Sequence, residues 1–170
     1  GEYSLTTEQG VDYTFNSDGF IKTIDFPSGP TISYTYTSGK LTSVANGMGR
    51  SLTLTYTGDR ITSVSDGTGR SVSYSYDVDG NLDTATDAEG EDTTYDYDNP
   101  GRMTKIFKPE NPTDPIVTNT YDTIGRVKEQ KDAYNNVTKF YIAGPRSEEE
   151  DPNGESRIVE YDENGAITKS

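Results

Sequence analysis

Carboxylates are the only abundant groups in this 170-residue sequence that could work as acids or bases. Asp and Glu number 29 against 15 Lys and Arg, and histidine, cysteine and tryptophan are absent. Without histidine, no side chain changes charge near neutrality at its ordinary pKa, which removes an imidazole base, proton shuttle or metal ligand. Without cysteine there is no thiolate nucleophile, disulfide framework or sulfur-ligated zinc. Glycoside hydrolysis needs only two carboxylates at the right separation. However, Asp77, Asp98, Asp122 and Asp162 each follow a tyrosine and precede a glycine in the same local pattern. A group that recurs at one repeated position is expected to be a turn hydrogen-bonder and not a unique catalyst. The sequence therefore reads as non-catalytic.

Two binding chemistries compete with that reading. Asp77-Val78-Asp79-Gly80-Asn81-Leu82-Asp83 alternates oxygen ligands as a calcium loop begins, which makes Asp77 and Asp79 weak candidates for a surface calcium site. The full loop pattern wants glycine at its sixth position and glutamate at its twelfth. Leu82 and Ala88 stand there instead, so calcium is the sole cofactor in view, and only as an outside expectation. Tyr134, beside Asn135 and Asn136, combines an aromatic face with amide hydrogen-bonding groups in a turn. That combination suits stacking on a sugar ring and makes these three residues the glycan-binding candidates. The Gly-x-Gly-Arg stretches at Gly47–Arg50 and Gly67–Arg70 lack a third glycine and a following helix, so they read as turns and not phosphate cradles. A formal charge of −14 opposes nucleic-acid binding, which needs clustered Lys and Arg. Apolar runs of two or three residues give no membrane span.

What holds these residues is a repeat. Aromatics mark a beat at Phe15, Tyr36, Tyr56, Tyr76, Tyr97, Tyr121, Tyr141 and Tyr161, with intervals of 20 or 21 residues and one of 24. A glycine trails each of them, at Gly19, Gly39, Gly58, Gly80, Gly101, Gly125, Gly144 and Gly165. The proline-rich insertion at 108–115 accounts for the longer interval. The chain is thus expected to be one tandem-repeat segment over residues 1–170, with about eight units of 20 residues. Because it starts in mid-pattern, it is expected to be cut from something longer.

Inside each unit the pattern before the tyrosine alternates. Ile32, Tyr34 and Tyr36 share one side, and Leu52, Leu54 and Tyr56 repeat the arrangement, as do Val72, Tyr74 and Tyr76. Period two with β-branched and aromatic residues predicts a strand. The glycine, usually beside Asp or Asn, predicts a hairpin turn. A second apolar run follows, as in Leu41-Thr42-Ser43-Val44. Its apolar residues lie three apart, so either a bulge intervenes or both faces carry apolar groups. The predicted fold is all-β, built of tandem antiparallel hairpins in a continuous, curved or spiralling repeat sheet, with no helix.

Tyr76-Asp77-Val78-Asp79-Gly80-Asn81-Leu82, Tyr97-Asp98-Asn99-Pro100-Gly101-Arg102-Met103, Tyr121-Asp122-Thr123-Ile124-Gly125-Arg126-Val127 and Tyr161-Asp162-Glu163-Asn164-Gly165-Ala166-Ile167 resemble the YD repeat, also called the RHS repeat. The likeness extends over nearly the whole chain. Asn16, Thr37 and Thr57 replace the aspartate in the first three units, and Pro145 follows Gly144 where the pattern departs again. The resemblance implies a strip of hairpins that spirals into a hollow shell, as in bacterial polymorphic toxins, insecticidal toxin complexes and the similar barrels of teneurins. By that implication the chain is a structural scaffold in a larger secreted or cell-surface bacterial protein, and the shell encloses a toxin. Its partners would be adjacent repeats of the same chain and the enclosed domain. A carbohydrate-binding or adhesion module is the alternative, and a calcium-dependent surface repeat the second. The self-cleaving segment that ends such toxin shells does not occur in the sequence, so interior repeats are expected.

Composition alone points elsewhere. Leu, Ile, Val and Phe make up only 29 of the 170 residues, and with the high net charge this is the signature of disorder. The 13 tyrosines oppose it, because disordered acidic chains are poor in aromatics.

Overall fold

The computed structural model describes residues 1–169. Among these residues there are strands and turns but no helix, so no helix is long and apolar enough to cross a membrane. The chain falls into two compact units, Gly1–Tyr74 with Thr86–Gly90, and Ser75–Ala85 with Glu91–Ser170.

The first unit holds β1 (Tyr3–Thr6), β2 (Asp12–Phe15), β3 (Ile21–Asp25), β4 (Ile32–Thr37), β5 (Lys40–Ala45), β6 (Ser51–Thr57), β7 (Arg60–Ser65) and the start of β8 (Ser71–Tyr76). Each pairs antiparallel with the next in chain order. The second unit contains most of β9 (Leu82–Thr86), then β10 (Asp92–Asn99), β11 (Arg102–Phe107), β12 (Val117–Tyr121), β13 (Val127–Asp132), β14 (Val137–Ala143), β15 (Arg146–Glu150), β16 (Ser156–Tyr161) and β17 (Ile167–Lys169). From β10 onward these too pair antiparallel in chain order. The insertion at 108–115 links β11 to β12, folded back by a bridge between Lys108 and Asn111.

Register settles the question left open by Leu41 and Val44. Tyr34 faces Val44 and Thr35 faces Ser43, but Tyr36 faces Leu41, so Thr42 is an extra residue in β5. The bulge restores Leu41 to the face that Val44 occupies, and one side of the hairpin becomes apolar throughout. The same step recurs at Lys22, Thr62, Thr104, Lys128 and Thr168. Sheet pairing carries this face across the first unit, because Ile24 opposes Ile32, Val44 opposes Leu52 and Val64 opposes Val72.

The sheet is one layer thick where it is described. No hydrophobic side chain is fully buried among the described residues, and the single buried residue is Asn119, at 6 % exposure. Half-burial suits tyrosine, whose ring supplies contact area while its hydroxyl stays able to find a partner.

Candidate functional site

The turns show why Asp follows the tyrosine. The Asp122 carboxylate accepts from the backbone N–H groups of Ile124 at 3.0 Å and Arg126 at 2.9 Å, and its other oxygen takes the Arg126 Nε at 2.7 Å. Asp77 holds Asn81 in the same manner, and Asp162 holds Asn164 and Ala166. The second turn of three repeats uses the same device at Asp66, Asp132 and Asp151. Asn16 keeps it with its amide oxygen, which accepts from the N–H groups of Asp18 and Phe20. Thr37 abandons it for a two-residue turn in which Ser38 and Gly39 both have positive φ, at 51° and 78°. That is the φ pattern of a type I′ hairpin.

Hydrogen bonds of this kind hold six of the turn carboxylates below the ordinary Asp range. The leading cause is the Thr68 backbone N–H for Asp66, the Asn81 side chain for Asp77, the Arg102 side chain for Asp98 and the Arg126 backbone N–H for Asp122. For Asp132 it is the Asn136 side chain, and for Asp151 the Glu155 backbone N–H. A carboxylate held ionised in this way is a poor general acid.

The tyrosines build the joint between successive hairpins. Tyr56 of β6 donates its hydroxyl to the Leu41 carbonyl of β5 at 2.8 Å, just before the bulged Thr42. Tyr121 does the same to the carbonyl of Met103, just before Thr104. The bulged threonine turns the other way and donates to the carbonyl of the residue preceding its own hairpin's tyrosine. Thr42 reaches Thr35 at 3.2 Å, Thr104 reaches Asp96 at 3.1 Å and Thr168 reaches Glu160 at 3.1 Å. The residue after the turn glycine completes the joint by covering the next tyrosine ring. Phe20 stacks on Tyr36 at 5.0 Å, Lys40 lies over Tyr56 at 5.6 Å and Arg102 over Tyr121 at 5.2 Å. Arg102 also grips Asp98 with two parallel bonds, of 2.6 and 2.8 Å. Asn119 adds a bond to the Met103 carbonyl at 3.2 Å and accepts one from Gln130 at 3.0 Å. Nothing in the residue pattern singled out Asn119 or the threonine bonds. The Leu-Thr-Ser-Val spacing was the only trace of the bulge.

Tyr141 stands apart from the other marks of the beat. Gln130 opposes Thr138, which puts Thr138, Phe140 and Ile142 on the face shared with Asn119 and Tyr121. Tyr141, one residue out of phase, points to the opposite face, where its hydroxyl donates to Glu150 at 3.2 Å. The spacing of 20 is kept, but the parity of the strand overrides it. Gly19, Gly39, Gly58, Gly80, Gly101, Gly125, Gly144 and Gly165 all have positive φ in their turns.

The binding candidates are placed as follows. Tyr134 is 86 % exposed at a turn tip. Asn135 provides the turn's left-handed residue, with φ 67°, and the Asn136 amide donates to Asp132 at 2.8 Å. Asp77 and Asp79 lie on a recess with Asn81, Asp83, Asp96 and Asp98. Among the described residues no three acidic groups gather closely enough to hold a metal ion.

The profile of the teneurin YD-shell family matches residues 2–168. The chain belongs to the teneurin YD-shell family. No curated protein matches it by sequence. Among solved structures, this YD-shell chain is similar to a chain of the crystal structure of TcdB2-TccC3-Cdc42, with 13 % identity and a TM-score of 0.60 over 98 % of its own length. TcdB2-TccC3 gives 14 % identity and 0.51 over 96 %, and a Photorhabdus luminescens Tc holotoxin pore gives 15 % and 0.50 over 98 %. At such identities the likeness is one of fold. The YD-shell chain spans about a tenth of those chains, 11 % in each case.

Proposed function

We propose that this YD-shell chain is a wall segment, a non-catalytic scaffold within the shell of a larger secreted or cell-surface bacterial protein, and that the shell encloses a toxin domain. The observation that carries the reading is the joint, in which a tyrosine completes a bulge in the hairpin before it. A joint of this kind can be repeated, because a hairpin such as β4–β5 offers its Leu41 carbonyl forward and the next reaches back to it with Tyr56. β1 pairs with β2 and β17 with β16, so strand pairing in chain order reaches the first and last described strands. The likeness in fold to the Photorhabdus luminescens Tc holotoxin pore supports the link to a toxin. Electron cryomicroscopy of the full-length protein, recovered from culture supernatant, tests it. A closed wall with density inside is expected. An open strip, or retention of the protein in the cytoplasm, would overturn the reading.

The second reading, a glycan-binding module, is favoured by the exposure of Tyr134. Binding on a glycan array that disappears in Tyr134→Ala would establish it. Calcium at Asp77 and Asp79 is the third, and titration calorimetry of the chain with calcium decides it.

A further inference from the structure

Three Asn-Gly pairs occur in the chain, at Asn46-Gly47, Asn153-Gly154 and Asn164-Gly165. Such pairs undergo intramolecular attack most readily, because glycine places no side chain beside the backbone nitrogen. The three turns treat the two reacting groups in opposite ways. Gly154 N–H and Gly165 N–H each donate at 3.0 Å, to the carbonyls of Asp151 and Asp162. Those nitrogens are held away from attack. The Asn153 side chain is drawn off through its amide nitrogen, which donates to Asp151 at 3.3 Å. By contrast, Gly47 N–H has no hydrogen-bond partner among the described residues. The Asn46 side-chain oxygen accepts from the N–H groups of Met48 at 3.0 Å and Arg50 at 3.1 Å. Two backbone donors on that oxygen would stabilise the oxyanion that forms when its carbon is attacked.

We propose that Asn46-Gly47 is a self-modification site, where the chain deamidates spontaneously and the turn accommodates the aspartate produced. The Gly47 nitrogen loses its proton to solvent and bonds to the Asn46 side-chain carbon. The bond from that carbon to Nδ2 breaks as Nδ2 takes a proton from solvent, and ammonia leaves. Water then opens the cyclic imide, giving aspartate or isoaspartate, with no change of oxidation state. The chain already displays the aspartate product in its twin turn. Asp66-Gly67-Thr68-Gly69-Arg70 has positive φ at the same two glycines as Asn46-Gly47-Met48-Gly49-Arg50. There the Asp66 carboxylate accepts from the N–H groups of Thr68 and Arg70 and pairs with the Arg70 guanidinium at 2.6 Å. Arg50 makes no ion pair among the described residues and occupies the position of Arg70. Aspartate at 46 thus gains a cation that is already in place.

Peptide mapping by mass spectrometry tests the proposal on the 170-residue chain incubated in mildly alkaline buffer, with a parallel sample in urea. In the folded chain Asn46 is expected to convert roughly tenfold faster than Asn153 and Asn164, and in urea the three rates should converge. Exposure alone predicts the reverse order, because Asn153 and Asn164 are exposed and Asn46 is half-buried. Equal folded rates, or a slower Asn46, would overturn the site. For the product, Asn46→Asp should melt at or above the parent temperature at low salt, and adding Arg50→Gln should remove that gain. A loss of stability in Asn46→Asp that is indifferent to Arg50 would sink the accommodation.

Discussion

The hydroxyl of Tyr56 and the backbone carbonyl of Leu41, fifteen residues apart, meet at 2.8 Å and join two consecutive hairpins. The carbonyl is free to accept because the bulge at Thr42 interrupts the ladder there. A residue pattern that looks like a run of strands contains interlocked defects, and those at Leu41 and Met103 are filled by the next repeat.

Tyr56→Phe leaves that carbonyl without its donor and should lower unfolding stability by about 1 kcal/mol, and Tyr121→Phe by a similar amount. Tyr74→Phe is the control, because the Tyr74 hydroxyl makes no hydrogen bond among the described residues. Urea denaturation of the three variants should separate the first two from the third.

Deleting Thr104 should cost more than replacing it, because deletion removes the bulge as well as the hydroxyl. Thr104→Val loses one hydroxyl bond, to Asp96, at a cost of about 0.5–1.5 kcal/mol. Deletion leaves Met103 and Ile106 two residues apart, on one face of a regular strand, so the apolar face survives but the bulge that presents the Met103 carbonyl to Tyr121 is lost. The circular dichroism of both variants should keep the sheet spectrum, and urea denaturation should find the deletion less stable than Thr104→Val by about 1 kcal/mol, the worth of the Tyr121 bond.

Phe140 and Tyr141 give a direct test of strand parity. Phe140→Ser strips the apolar face and should cost about 1–2 kcal/mol, since the ring is half-buried. Tyr141→Ser, on the opposite face, should leave the thermal midpoint nearly unchanged. If Tyr141→Ser proves the more damaging, the pairing of β14 with β13 is wrong.

Arg102→Lys keeps the charge but loses the two-pronged bond to Asp98 and the flat guanidinium over Tyr121. Because the pair is exposed, the expected effect is a small fall in melting temperature. Raising the salt concentration should recover little of it, since stacking is not screened as an ion pair is.

Stability should be flat from neutral pH down to about 5 and fall below about 4. Asp66, Asp77, Asp98, Asp122, Asp132 and Asp151 all have folded pKa values below their unfolded ones. Their contribution is therefore present in full above the unfolded value and is lost as pH falls through the folded values. Thermal melts across that range check it. A midpoint that rises on acidification would show that relief of the −14 charge outweighs the turns.

Much of this was legible in order and little in composition. Strand and turn positions follow from Ile32, Tyr34 and Tyr36 alternating before a glycine, because side-chain direction in a strand has period two. The turn role of Asp122 and Asp162 was legible from recurrence alone. Glycan and calcium candidates were legible only as residue types. The structure leaves the Tyr134 ring open to solvent but uses the Asn136 amide in its own turn.

The sequence by itself determined the repeat, the all-β class and the residues that turn the chain, since these depend on local backbone preference. Only the tertiary structure decided which residues share a face. A single inserted residue such as Thr42 reverses parity, and its bulge exists through pairing with Tyr36 and Thr35 on another strand. For the same reason only the structure could set Phe140 with the tyrosine ladder and Tyr141 against it. Parity passes from strand to strand through hydrogen-bonded partners, and a one-dimensional beat of 20 residues does not carry it.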